Sequence, residues 1–136
     1  MDRLGIAEYL MKHLDDSGTY TSTVQIDLPD AQEPEQKLDL DKKAYIGRVL
    51  EGLGTIRNHE EKTRVENIEI ADDSRSARVV TTSFERGMIP SENESGRSVL
   101  VPVRGISYCE QKLVLKDETI RMAGAVCSTS IQPVTD

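Results

Sequence analysis

IEIADDSRSARVVTTSFE, residues 68–85, holds two segments of alternating apolar and polar residues on either side of an acidic turn. Successive side chains of a β-strand point to opposite faces, so this alternation is typical of strands with one buried face. The turn ADDSRS contains the small polar residues that favour chain reversal. The stretch therefore predicts two consecutive strands joined by a short connection.

The segments on both sides of this stretch continue the same pattern. Strands are predicted at residues 19–28, 63–70, 77–88, 99–115 and 119–131. The last two exceed the usual strand length of roughly 3 to 10 residues. We expect them to bend at Gly105 and Gly124, since glycine inside a strand often marks a bulge or a sharp curve. Residues 29–37, rich in proline and polar side chains, are predicted to form a loop.

Two helices precede the main run of strands. Residues 2–15 place apolar side chains at helical spacing, and the segment DSG at residues 16–18 provides a stop. A second helix is predicted after Asp41, whose carboxylate is placed to cap it, with Leu40 and Tyr45 as a hydrophobic staple. Helices followed by antiparallel strands define an α+β plan, with the helices packed on one face of a curved sheet.

This order of elements, with LDKKAYIGRVLEGL at the second helix and IEIADDSRSARVV in the strands, resembles the NTF2-like (cystatin-like) α+β family. The resemblance covers nearly the whole chain, and we expect residues 1–136 to form a single domain. It implies a cone, in which a strongly curved, mostly antiparallel sheet with a long C-terminal hairpin wraps around the long helix and leaves a pocket between them. It also implies several functions, from ketosteroid-isomerase-like and polyketide-cyclase-like enzymes to binding domains. The function must therefore be inferred from the individual residues of this chain.

Charge and composition argue against several classes of partner. The net charge is −7 and the basic residues are spread among acidic ones, so a nucleic-acid surface is not expected. No apolar run approaches the roughly 20 residues that cross a bilayer, and the opening MDRLGIAEYLMKHLDD lacks the pattern of a signal peptide. We expect no membrane insertion and no cofactor. We also expect no metal site, because the two cysteines and two histidines are widely spaced.

A catalytic function implied by the resemblance would need a carboxylate base and a proton donor. Glu85 is the candidate base, because it shares a strand side with Ala77 and Val79, and an inward carboxylate titrates at a raised pH. Tyr20 or Tyr108 is the candidate donor. The structural interpretations are a solvated charge for Glu85 and a core residue with a satisfied hydroxyl for Tyr20. This alternative describes a cofactor-free lyase or isomerase.

The two histidines receive structural interpretations. His13 lies near the end of the first predicted helix, where a cation complements the helix dipole. His59 is predicted to be a solvated residue in a polar connection.

The first hypothesis is a non-catalytic domain. It binds a small apolar ligand in the cone or a protein partner on the sheet, and it forms a homodimer through that sheet. Tyr45 and Val49 of the second helix, together with Arg104 of a strand, are the candidate ligand contacts. The default interpretation of Arg104 is pairing with a surface carboxylate.

The chain has two cysteines, on either side of the last predicted turn. Counting outward from that turn places Cys109 opposite Val126, one position short of Cys127. A single bulge at Gly124 would shift the register by one and bring the cysteines face to face. A disulfide would indicate the periplasm or the cell exterior, and two buried thiols in a cytoplasmic protein are the alternative.

Overall fold

The computed structural model describes residues 3–28, 34–52 and 57–134. In order along these residues, the helices and strands are α1 (Arg3–His13), β1 (Leu14–Ile26), β2 (Glu35–Leu40), α2 (Lys42–Gly52), β3 (Arg57–Ile70), β4 (Ser76–Glu92), β5 (Ser98–Lys116) and β6 (Thr119–Pro133). Neither helix is long and apolar enough to span a membrane, as far as the described residues show.

The strands form one sheet in the order β2-β1-β6-β5-β4-β3. Neighbours are antiparallel except for β1 and β6, which run parallel. The result is a curved, mixed sheet of six strands with two helices, which is the α+β class predicted from the sequence. The inner face of the sheet is the one against which α2 packs, and the outer face is the opposite one.

The core lies where the helices meet the β2-β1-β6 side of the sheet. Leu14 and Tyr20 of β1, Ile46 of α2 and Ala125 of β6 are buried together there. Within the described part of the chain, α1 and α2 make no contact with β3, β4 or β5. The inner face of those three strands is therefore left uncovered by helix.

The start of β1 corrects one prediction. Helix α1 ends at His13, and the residues expected to stop it, 16–18, already belong to β1. Gly18 does not have a positive φ, so it is not a helix cap. Its lack of a side chain is needed for a different reason, because a Cβ there would overlap the Tyr20 hydroxyl and lie 3.2 Å from the Ala123 carbonyl oxygen.

The start of α2 confirms another prediction. The Ala44 amide donates a hydrogen bond to Asp41 Oδ1 at 2.8 Å, so Asp41 caps the helix. Leu40 and Tyr45, the residues of the predicted staple, both pack against the core. Strand β2, Glu35–Leu40, was not predicted, because its first residues fall in the segment 29–37 that was expected to be a loop. Residues 29–33 of that segment lie outside the described residues.

The β5–β6 register includes the bulge predicted beside Gly124. Lys112 pairs with Gly124 whereas Leu113 pairs with Met122, so one residue of β6 has no partner on β5. The shift places Cys109 directly opposite Cys127, and the two form a disulfide bond.

A partly buried ionic cluster connects the helices to the sheet. Asp15 of β1 is buried and accepts a hydrogen bond from Lys116 Nζ at 2.7 Å. Its neighbour Asp16 accepts one at 2.7 Å from Lys42, which also donates to the Met11 carbonyl oxygen at 2.8 Å. The two buried residues of this cluster, Asp15 and Lys42, are therefore both paired, as burial of a charge requires.

Asp15 is expected to make stability depend on pH in acid. The hydrogen bond from Lys116, and after it that from Ser17, lowers the pKa of Asp15 from 3.8 to about 2. A depressed folded-state pKa stabilises the fold above the unfolded-state value, and this contribution is lost as pH falls from about 4 through 2. Because Lys116 is half exposed and screened by solvent, Asp15→Asn should cost about 1 to 2 kcal/mol at neutral pH.

The measurement is urea unfolding of Asp15→Asn and wild type across this acid range. The difference between their free energies of unfolding should shrink steadily as the pH falls. A difference that stays constant would show that Asp15 acts by packing and not by its charge.

Candidate functional site

Glu85 is held on the inner face by an unbroken register between β4 and β5. Thr81 pairs with Cys109 and Glu85 pairs with Gly105, so the Glu85 side chain lies on the same face as the disulfide. Gly105 presents no side chain to it, and a Cβ there would lie 3.9 Å from Glu85 Oε2. The inward orientation predicted for Glu85 is therefore observed, with the side chain half-buried.

Two side chains of β3 approach Glu85. Glu61 is its direct partner in the β3–β4 register. His59 lies two residues before Glu61, and its Nε2 atom is 3.9 Å from Glu85 Oε2. One nitrogen or oxygen atom from each of the three side chains lies within 4.8 Å of the other two. We call His59, Glu61 and Glu85 the inner-face cluster.

The cluster corrects the prediction for His59. The residue is exposed, as expected, but it belongs to β3 and not to a connection. The sequence carried a signal for this placement, because His59 and Glu61 alternate along a strand that extends further towards the N-terminus than the predicted 63–70. The contact with Glu85 was not visible, since it depends on the pairing of two strands and on a register shift between Arg57 and Glu60.

The cluster raises the pKa of Glu85 above its ordinary value. Partial burial has the largest effect, and the negative charge of Glu61 and a hydrogen bond with it act in the same direction, whereas His59 opposes them. A small hollow of about 60 Å³ adjoins the cluster and is lined by His59, Glu85, Gly87, Ile89, Val103 and Ile131, among others.

Hydroxyl groups line the inner face beside the cluster. Thr129, Ser107, Ser83 and Thr63 lie opposite one another on consecutive strands from β6 to β3. Ser107 and Thr129 are hydrogen-bonded at 2.8 Å, and Thr63 and Ser83 at 2.9 Å. The inner face beyond the helices is therefore polar in this region.

The two tyrosines proposed as proton donors lie elsewhere. Tyr20 is buried in the core, and its hydroxyl donates to the Met122 carbonyl oxygen at 2.9 Å. Burial raises the pKa of Tyr20, which makes it a weaker acid. Tyr108 lies on the outer face, opposite to Glu85. The structure does not bring either hydroxyl to the Glu85 carboxylate.

The three proposed ligand contacts are also separated. Tyr45 is half-buried against the Tyr20 ring, with ring centroids 4.7 Å apart, and Val49 is half-buried on α2. Arg104 lies on the outer face, where its Nη2 donates to Gln132 Oε1 at 3.4 Å. The helix residues and Arg104 therefore do not line one pocket.

The outer face carries exposed apolar side chains at its centre. Ile106 pairs with Phe84, Tyr108 is the next outward residue of β5, and Val126 lies diagonally beside it on β6. Tyr108 is 59% exposed and Val126 is 62% exposed. We call Phe84, Ile106, Tyr108 and Val126 the outer patch.

Charged residues flank the outer patch at both ends. A hollow of about 650 Å³ at one end is lined by Glu69, Arg78, Glu110 and Lys112, and one of about 610 Å³ at the other by Glu60, Lys62, Arg86 and Arg104. The outer face thus has an apolar centre and a charged rim of both signs, which is the composition of a protein interface.

The fold defined by these elements is the NTF2-like fold, as the comparisons with solved structures show. A scytalone dehydratase-like protein from Novosphingobium aromaticivorans has a TM-score of 0.60 at 15% identity, over 96% of this chain and 75% of that one. A type 2 hexachlorocyclohexane dehydrochlorinase has a TM-score of 0.60 at 7% identity, over 97% of this chain and 80% of that one.

An NTF2-like protein of unknown function from Prochlorococcus marinus has a TM-score of 0.55 at 14% identity, over 96% of this chain and 82% of that one. No protein-family model and no curated protein sequence matches the chain. At these identities the likeness establishes the fold alone, so function rests on the two faces of the sheet.

Proposed function

We propose that this protein is a binding domain that forms a homodimer through the outer patch and does not act as a cofactor-free lyase or isomerase. The observation that carries the proposal is the exposure of the Phe84, Tyr108 and Val126 side chains at the centre of the outer face. Apolar groups of this kind, rimmed by polar residues, mark interaction surfaces. Tyrosine in particular is enriched among the interface residues that contribute most of the binding energy.

A second copy of the chain is the partner that this surface suits. A two-fold interface brings the same patch of each copy together, so a self-complementary surface is needed. The outer patch meets that need, since it is uncharged at the centre and its rim includes both Arg78 and Glu110, which pair with each other. Stacking two patches would bury apolar area without leaving a charge unpaired at the centre.

The inner face supports binding over acid–base catalysis. Glu85 has a raised pKa, but neither Tyr20 nor Tyr108 is placed to supply a proton to a substrate beside it. The hydroxyl groups of Ser83 and Ser107 make this part of the cone polar, which does not suit a small apolar ligand. We therefore favour a protein partner on the outer face over an apolar ligand in the cone.

The disulfide suggests where this domain works. Disulfide bonds persist in oxidising compartments and are rare in the cytosol. We propose the periplasm or the cell exterior as the location, on the basis of the bond between Cys109 and Cys127.

The test of dimerisation compares two lysine substitutions by size-exclusion chromatography with light scattering. Tyr108 on the outer face and Val65 on the inner face are 59% and 54% exposed, so they are a matched pair. We expect wild type and Val65→Lys to have twice the chain mass of 15.1 kDa. Tyr108→Lys should weaken association at least tenfold, because a charge replaces an aromatic anchor at the centre of the patch, at a cost of about 2 kcal/mol.

Two results would contradict the proposal. Wild type that runs as a single chain at every concentration tested would exclude a homodimer. A dimer lost in Val65→Lys and kept in Tyr108→Lys would place the interface on the inner face.

A further inference from the structure

We infer that the inner-face cluster binds a divalent transition metal ion of the zinc type, with His59, Glu61 and Glu85 as its protein ligands. This site is independent of the proposed dimer, because the cluster and the outer patch lie on opposite faces of the sheet.

The ligand set comes from two neighbouring strands with a fixed register. Glu61 and Glu85 are direct partners across β3 and β4, and His59 adds an imidazole nitrogen from the same end of β3. The three donor atoms lie within 4.8 Å of one another, so small side-chain rotations bring them to a common ion at the usual zinc distances of roughly 2.0 to 2.2 Å. Strands hold such ligands more precisely than loops do.

The charge arrangement calls for a cation. Like charges directly opposite each other on adjacent strands are destabilising, and Glu61 and Glu85 form such a pair. The nitrogen of His59 is 3.9 Å from Glu85 Oε2, and Glu61 and Glu85 also share a hydrogen bond, so these contacts offset the repulsion only in part. A divalent ion between the two carboxylates balances both charges at once.

The surroundings leave room for the ion and for one further ligand. Gly105 and Gly87 place no side chain over the cluster, and the adjoining hollow of about 60 Å³ accommodates a water molecule, whose share of liquid volume is about 30 Å³. Three protein ligands with an open position are typical of zinc sites that take a water molecule or an anionic oxygen ligand as the fourth.

The imidazole decides the class of ion. Calcium and magnesium favour sites built entirely of oxygen ligands, whereas a histidine with carboxylates suits zinc and related transition metals. The chain offers no thiolate to compete for such an ion, because both cysteines are joined in the disulfide.

The experiment is calorimetric titration of tag-free, chelator-treated protein with ZnCl₂, repeated with CoCl₂ and its visible absorption spectrum. We expect one ion per chain for wild type. His59→Ala and Glu85→Gln should each weaken binding at least about tenfold, since even indirect metal contacts are worth that much. Glu60→Gln and His13→Ala are the controls, because each changes a residue type of the cluster at a position outside it. Glu60 is exposed and His13 is half-buried, and both variants should bind as wild type does.

Circular dichroism of each variant shows that it is folded before titration. The inference is overturned if wild type shows no saturable binding of zinc or cobalt. It is equally overturned if His59→Ala and Glu85→Gln both bind as tightly as Glu60→Gln, because the ion would then sit elsewhere. If wild type binds zinc but does not form a dimer, the metal site is supported and only the proposed function is contradicted.

Discussion

Gly18→Ala is expected to destabilise the fold by about 2 to 4 kcal/mol, although glycine-to-alanine changes inside regular structure usually stabilise. The new Cβ would overlap the hydroxyl of Tyr20 and crowd the Ala123 carbonyl oxygen. Tyr20 has no room to move, because it is buried and its hydroxyl is bonded to the Met122 carbonyl oxygen. The cost combines overpacking with the loss of a buried hydrogen bond. Urea unfolding monitored by circular dichroism measures it.

The control for this change is the same substitution in an open position. Gly47 is exposed on α2, and a Cβ there meets nothing within 4 Å. Gly47→Ala should therefore stabilise by about 1 kcal/mol, which is the helix-propensity difference between glycine and alanine.

A double-mutant cycle locates the cause of the Gly18 effect. Tyr20→Phe removes the hydroxyl that the new Cβ would overlap, so the pair Gly18→Ala with Tyr20→Phe should cost less than the sum of the single changes. Strict additivity, or a stable Gly18→Ala variant, would contradict the packing described at the start of β1.

Removing the disulfide is the second large effect. The double substitution Cys109→Ser with Cys127→Ser should cost about 3 kcal/mol, since the bond closes a loop with a sequence separation of 18 residues and limits the unfolded chain. Cys127 also packs against the core, so its replacement by a polar hydroxyl adds to the cost. The free energy of unfolding of wild type, with and without reductant, gives the effect of the bond alone.

A neighbouring pair of residues provides the control. Ser107 and Thr129 face each other one row away on the same two strands and share a hydrogen bond but no covalent link. Ser107→Ala with Thr129→Val should cost no more than about 1.5 kcal/mol, the upper range for one hydrogen bond. Equal costs for the two pairs would show that the covalent link adds nothing.

The strand pattern and the glycine positions were enough to predict most of the β5–β6 pairing. Leu113 and Met122 lie two residues beyond the pair Leu115 and Ile120, so their pairing followed from counting outward from the turn, and Gly124 was the natural place for a bulge. The bulge shifts the register by one residue, which is the shift that aligns Cys109 with Cys127. Local patterns are informative here because a tight turn fixes the register of the strands on either side of it.

Other parts of the fold depend on contacts between distant segments. Residues 16–18 look like a helix stop, yet they lie within β1, between Leu14 and Thr19, which both pair with β6, and the ionic contacts of Asp15 and Asp16 are made at this point. Strand β2 has six residues and begins inside the segment predicted to be a loop, so its identity comes from pairing with β1 rather than from its own composition.

In the candidate site, too, local patterns predicted some features, whereas others depend on contacts between distant segments. Alternation along β4 placed Glu85 on the inner face, because that rule is local to one strand. It did not reveal that Glu61 and His59 lie beside Glu85, since this requires the register between β3 and β4. Nor did it separate Tyr108 and Arg104 from Glu85, because the face of each strand is fixed only when the whole sheet is assembled.

The two faces of the sheet suggest a division of roles. In the proposed homodimer the outer patch would provide the apolar area for pairing. The inner-face cluster lies on the opposite side, where the homodimer would leave it accessible. Binding of a metal ion at His59, Glu61 and Glu85 would then not compete with dimer formation. Either property can be tested with the other intact.

The central claim is that a second copy covers the outer patch in solution, and hydroxyl-radical footprinting of wild type tests it most directly. Tyr108 and Tyr9 are 59% and 63% exposed in a single chain, so Tyr9 is an internal standard for an uncovered tyrosine. We predict that Tyr108 is oxidised several-fold more slowly than Tyr9 and that this protection fades on dilution. Oxidation of the two tyrosines at equal rates at high protein concentration would contradict the account.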